Sequence, residues 1–199
     1  MNGLAEMDRA RQRPVWGYAC LASGGAMNRR YHYVGPDTLR EAARQQSAGI
    51  VIHTRNDLAA WLQTSPSERT VDGEWVTTFV IDLQQQLRLA PRRSEHVACA
   101  AGGPVLSAGE MTFASDRCVT AVSNQSRGFC PEAGSWSVVQ AALEAIHVSH
   151  PGRFTTEIIF RQCTHCDQIT IVKDHWFVCA VCDADLSATW NFPQGEDRD

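Results

Sequence analysis

The chain has no apolar run near the roughly 20 residues needed to span a bilayer, and its opening stretch, MNGLAEMDRARQRP, is polar with no apolar signal core. Those two absences set the expectation of a cytoplasmic protein with no membrane partner. An excess of positive charge is missing as well. A formal net charge of -4 gives no general electrostatic footprint for nucleic acid. Short arginine groups (Arg9, Arg11 and Arg13; Arg29 and Arg30; Arg88, Arg92 and Arg93) read as solvated surface charge on a mildly acidic protein. There is no glycine-rich phosphate loop of the Rossmann or P-loop kind, no internal repeat and no low-complexity linker. Hydrophobic residues at 44% and charged residues at 20% exclude a disordered or coiled-coil chain. With 199 residues the chain is long enough for one core plus a small metal-stapled module.

Cysteine, by contrast, is plentiful. Cys163 and Cys166 are two residues apart, Cys179 and Cys182 repeat that spacing, and twelve residues lie between the pairs. Each Cys-x-x-Cys turn aims two thiolates at one point. Two such turns joined by a hairpin supply the four soft ligands of a closed tetrahedral zinc site. A closed shell leaves no position for water or substrate, so the expected metal, Zn2+, is structural and not hydrolytic. His165 and His175 lie nearby, but four thiolates already fill the tetrahedron. The other cysteines, Cys20, Cys99, Cys118 and Cys130, read as small buried hydrophobes.

The fold class expected is α+β: a mostly antiparallel or mixed sheet with about three helices and a C-terminal four-cysteine zinc ribbon. Residues 1–13 read as a flexible tail, 14–153 as the α+β core, 154–192 as the ribbon packed on that core, and 193–199 as a second tail. The expected strands are VWGYACL, RYHYV, GIVIHT, VTTFVIDL, LRLA, HVACA, PVLSAGEMTF and CVTAVSN, followed by FTTEIIF, ITIVKD and WFVCA around the cysteines. One helix opens at Pro36-Asp37 and ends before Gly49. A second, DLAAWLQ, is expected to be capped by Asn56 or Asp57. Ser135 is expected to cap a third, with Trp136, Val139, Ala142, Leu143 and Ile146 as its apolar stripe.

Polar residues gather where the later strands end: Arg92, Arg93, Glu95, His96, Glu110, Asn124 and Ser126. A rigid sheet presents side chains at such ends, and a histidine beside a carboxylate can exchange protons near neutral pH. Glu110 interrupts an otherwise apolar strand, so it must face solvent, pair with an arginine or line a cleft. In the ribbon, Lys173, His175 and Trp176 sit near the hairpin tip among Asp167, Asp174, Asp183 and Asp185. That acidity opposes phosphate and favours another protein as partner over nucleic acid.

Two resemblances add expectations. His96, Gly103, Val105, Ala108, Gly109, Glu110, Ser126, Phe129 and Pro131 follow a pattern that resembles the AGE/SGHY-type domain of polymorphic toxins and of plant calmodulin-binding proteins that carry an IQ motif. Arg127 and Gly128 stand where that pattern has glycine and histidine, so a role resting on that histidine does not carry over, and no IQ motif is present. Arg30 to Ile50 resembles the opening strand and helix of ADP-ribosyltransferase-like folds. That resemblance implies NAD as a cofactor, His32 on its ribose, Arg30 on phosphate and Glu110 orienting an acceptor. The zinc-ribbon pattern itself resembles modules of uncharacterised bacterial proteins. The candidate catalytic residues are thus His32, His96, Glu110 and Asn124, the candidate cofactor residues Arg30 and Ser126, and the metal ligands the four paired cysteines. The reading they support is a zinc-binding, protein-binding module, with an NAD- or nucleotide-using enzyme as the alternative.

Overall fold

A computed structural model describes residues 29–65 and 69–194. The expected N-terminal tail, the strand VWGYACL and Cys20 lie outside the described residues. Helices α1 (Asp37–Arg44), α2 (Arg55–Thr64), α3 (His96–Cys99) and α4 (Trp136–Ala145) accompany strands β1 (Ile50–Ile52), β2 (Trp75–Ile81), β3 (Leu87–Pro91), β4 (Ser107–Phe113) and β5 (Val119–Val122). The five strands form one sheet in the order β1-β3-β2-β4-β5, and every neighbouring pair is antiparallel. Strands β6 (Ile159–Gln162) and β7 (Ile169–Val172) form a separate antiparallel pair. The α+β class is the one the sequence implies.

The central strand β2 is covered on both faces, which is why TTFVI, from Thr77 to Ile81, is continuously buried instead of alternating. Its two buried hydroxyls are satisfied by backbone: Thr77 donates to the Met111 carbonyl at 3.0 Å and Thr78 to the Arg92 carbonyl at 3.1 Å. On one face Phe79, Ile81, Leu87, Leu89, Met111 and Phe113 pack under α2 and α4. On the other, Val80, Ala90 and Ala108 meet Tyr31, Ala43, Val97, Cys99 and Phe129. Each fully buried side chain of this kind contributes roughly 1.5–3 kcal/mol.

Four local expectations are corrected. HVACA is helical, not extended: Ala98 and Cys99 donate to the Glu95 carbonyl, and Gly102 at φ 76 closes the turn back onto Val97. Alanines at 98, 100 and 101 favour helix, while burial of Val97 and Cys99 imitates a two-residue period over so short a run. RYHYV makes only a bridge, Tyr31 to Val105. Thr54, not Asn56 or Asp57, caps α2; Asp57 completes a capping box by accepting from the Thr54 N–H at 2.9 Å. Ser135 precedes α4 as expected but does not cap it, because its hydroxyl donates to the Glu132 carbonyl at 2.7 Å and meets Ser107 at 3.0 Å.

The junction between sheet and ribbon is built around Gly109. A Cβ there would lie 1.9 Å from the Ser123 carbonyl oxygen, so only glycine lets residues 123–124 cross over β4. Asn124, fully buried by that crossing, donates to the carbonyls of Pro131 at 2.7 Å and Ile158 at 2.8 Å and accepts from the Ile158 N–H at 2.7 Å. Thr155 and Thr156 donate to the Val122 carbonyl just upstream. The ribbon therefore leaves the core already hydrogen-bonded to it.

Candidate metal centre

The first cysteine pair forms the turn between β6 and β7, and the second the turn of a shorter hairpin in which Val178 pairs with Asp185. The two turns are built alike. Cys163 donates its N–H to Gln168 at 2.9 Å and Cys179 to Ala184 at 2.8 Å; Asp167 and Asp183, each one residue past the pair, donate back to Cys163 and Cys179 and hold φ at 58. Aspartate tolerates this left-handed conformation better than most residues. Each turn thereby points two sulfurs inward.

All four Sγ atoms lie within 4.8 Å of one another. Cys163 and Cys182 are 3.6 Å apart and Cys166 and Cys179 3.7 Å. A tetrahedron with metal–sulfur bonds of about 2.3 Å has edges of about 3.8 Å, so the group matches the size of a four-thiolate metal site. All four cysteines are free thiols, with Cys163 and Cys179 buried. The backbone N–H groups of Val181 and Cys182 hold the Cys179 thiol down to about 6 against desolvation, and the Thr170 hydroxyl at 3.7 Å helps. Cys182 is drawn down by the Ala184 N–H, yet desolvation and the three neighbouring thiols push it up to about 12. Four thiols this close cannot all ionise unaided, and a divalent cation supplies the missing charge. The donor set is compatible with zinc.

The sequence pattern located the ligands but not their supports. Arg161, almost fully buried, donates to the carbonyls of Phe160, Ser187 and Ala188 at 2.7, 3.0 and 2.9 Å, tying the segment after the second turn to β6. Desolvation lowers its pKa, but an arginine keeps its charge. Asn191 pairs with the backbone of Gln162 in both directions, like an added strand residue. Phe160, Phe192 and Cys130 then form a cluster with Val34, Ile158, Ile169 and Trp190, and this cluster joins ribbon to core. The repeated Cys-x-x-Cys-Asp was the one visible signal of the matched turns.

The other candidate residues are dispersed. His96 and Glu110 come together: His96 is drawn below its usual pKa by burial, opposed by the Gly109 carbonyl, Glu110 and Glu95, and its Nε2–H donates to that carbonyl at 3.0 Å. Glu95 also raises the Tyr33 phenol, after desolvation. His32 instead lines a groove of about 350 Å³ with Tyr33, Arg40, Gln162, Asp167 and Phe192, and Glu110 is not part of its lining. Asn124 is committed to the ribbon junction described above. Arg30 is exposed, and the buried Ser126 hydroxyl has no hydrogen-bond partner among the described residues. Cys99 and Cys130 are pushed up to about 12 by burial, so neither offers a thiolate at neutral pH. His96 and Cys99 sit in a helix, not on opposite faces of a strand, but the Cys99 thiol donates to the Arg88 carbonyl at 3.8 Å and His96 to Gly109.

In comparisons with known proteins, no family model, no curated protein and no solved structure matches the chain.

Proposed function

We propose that this is a cytoplasmic zinc-binding protein whose four-cysteine ribbon is structural and displays a surface to another protein. The observation that carries the reading is the geometry of the sulfurs: four thiols from two matched turns, at tetrahedral spacing, with no fifth donor grouped with them among the described residues. Such a shell supplies folding free energy, on the order of 10 kcal/mol at neutral pH, and no vacant position for a substrate. Free thiols in every described cysteine suit a reducing compartment. Elemental analysis of protein purified without added metal should find one zinc per chain, and Cys163→Ser should lose it. Purified protein with no zinc would overturn the reading.

A second reading, a nucleotide site, draws on the groove around His32. The side chains of His32, Tyr33, Gln162 and Asp167 line it and make no hydrogen bonds among the described residues, and Val34, Ile169, Phe192 and Pro193 give it apolar walls. Its volume is at the low end for ligand pockets. A thermal-shift screen with NAD, ADP-ribose and mononucleotides tests it: a ligand of the groove raises the melting temperature by mass action, and His32→Ala removes the rise. No shift with any of them would end this reading and leave the first intact.

A further inference from the structure

The second hairpin of the ribbon has two unlike faces. Phe177, Cys179, Ala184 and Leu186 belong to the apolar cluster around the metal ligands. Side chains alternate along extended backbone, so Trp176, Val178 and Asp185 face the opposite way, and the pairing of Val178 with Asp185 sets those two side by side. Most of that outer face is open: Trp176 is 71% exposed, Asp185 is exposed and Val178 half-buried, and Val181, in the adjoining cysteine turn, is 67% exposed.

Trp176 is also held firmly. Asp174 and His175, at φ 50 and 55, close a two-residue turn of type I′, with the Trp176 N–H donating to the Lys173 carbonyl at 2.8 Å. An aromatic fixed on a tight turn loses little freedom when it docks. Four exposed carboxylates, Asp167, Asp174, Asp183 and Asp185, stand on the same hairpins and take part in no salt bridge among the described residues. Lys173, the sole lysine of the chain, is the one exposed cation among them. A divalent ion held by four thiolates leaves the metal centre anionic too.

We propose that this outer face docks a basic segment of a partner protein, with an arginine or lysine of that segment over the Trp176 indole and paired with Asp174 or Asp185. The inference rests on the protein-binding reading above and names the chemistry of its partner. The face of an indole attracts a cation through its ring quadrupole, and Val178 and Val181 give the segment's aliphatic side chains something to cover. Carboxylates around an apolar centre steer a basic chain in and turn away acidic chains and phosphates.

The test uses the full, zinc-loaded chain, isotopically labelled and followed by NMR. The probes are synthetic peptides of equal length containing leucine with arginine, with serine or with glutamate, and a single-stranded oligoribonucleotide. The arginine peptide should move the Trp176 indole and the Val178 and Asp185 amides and should weaken roughly tenfold between low and high salt. Trp176→Ala should weaken it about two- to fivefold, and Asp174→Asn with Asp185→Asn should remove most of the salt dependence. All three side chains are exposed, so the variants should fold. Equal or tighter binding of the serine or glutamate peptide at this face, binding of the oligoribonucleotide there, or arginine-peptide binding indifferent to Trp176→Ala overturns the inference while leaving a peptide-binding ribbon standing in the first case. If no peptide of any charge perturbs the ribbon, the protein-binding reading falls with it.

Discussion

His96 shows how a candidate catalytic side chain is also bound into the fold. Burial lowers its pKa from 6.5, although the Gly109 carbonyl, Glu110 and Glu95 all pull the other way. Its Nε2–H is engaged by that carbonyl, leaving Nδ1 as the acceptor nitrogen of the neutral ring. The unfolded chain takes up a proton near the ordinary value and the folded chain only at lower pH, so below that value the unfolded state holds more protons. The stabilisation from neutral His96 is therefore fully present above about pH 6.5 and is lost as pH falls through the folded pKa. Urea titrations should show stability declining over that window, and His96→Gln should flatten the decline. An unchanged slope in the variant would place the pH dependence elsewhere. Glu110 is legible as the odd residue in an apolar strand and His96 as a candidate grouped with it; the local structure is not, because HVACA has strand-like composition and it is the α3 turn that brings His96 to Gly109.

At the level of elements, segments that pair along their length were readable even when short, and those without a continuous partner were not. β2, β3, β4, β5 and α4 stand where apolar periodicity placed them. RYHYV and WFVCA have strand-like composition but pair only at isolated bridges, Tyr31 with Val105 in the first and Trp176 with Lys173 and Val178 with Asp185 in the second. Composition alone does not reveal that. The same limit hid the role of Asn124, which reads locally as a turn residue and in the structure joins β5, the Pro131 loop and the chain entering β6 through three hydrogen bonds made by its buried side chain. Asn124→Ala should cost on the order of 3 kcal/mol, since it strands the buried Pro131 carbonyl and the half-buried carbonyl and N–H of Ile158. Hydrogen exchange should locate the loss at the junction, with Ile158 protection falling first. A uniform loss of protection, or a cost within the range of a surface substitution, would contradict the junction role.

For the whole molecule, a sheet covered on both faces continues into a ribbon whose own core is too small to persist alone. The ribbon's buried apolar group, apart from the cysteines, comes down to Val172 and Leu186 with partly buried neighbours. Arg161, Asn191 and the Phe160–Phe192 cluster fasten it to the core, but they presuppose that the two cysteine turns already face each other. The cysteine spacing made the metal centre legible from sequence, because ligand geometry dictates spacing directly. The docking was not, because its residues are scattered from Val34 to Phe192 and share no pattern.

The central claim is that metal held by Cys163, Cys166, Cys179 and Cys182 organises the C-terminal third. Hydrogen exchange resolved along the chain, with and without a strong chelator, tests it most directly. Removal of zinc should collapse protection from Ile159 through Leu186 while β2, β3 and β4 stay protected. Retention of full ribbon protection in protein proven free of metal would contradict it.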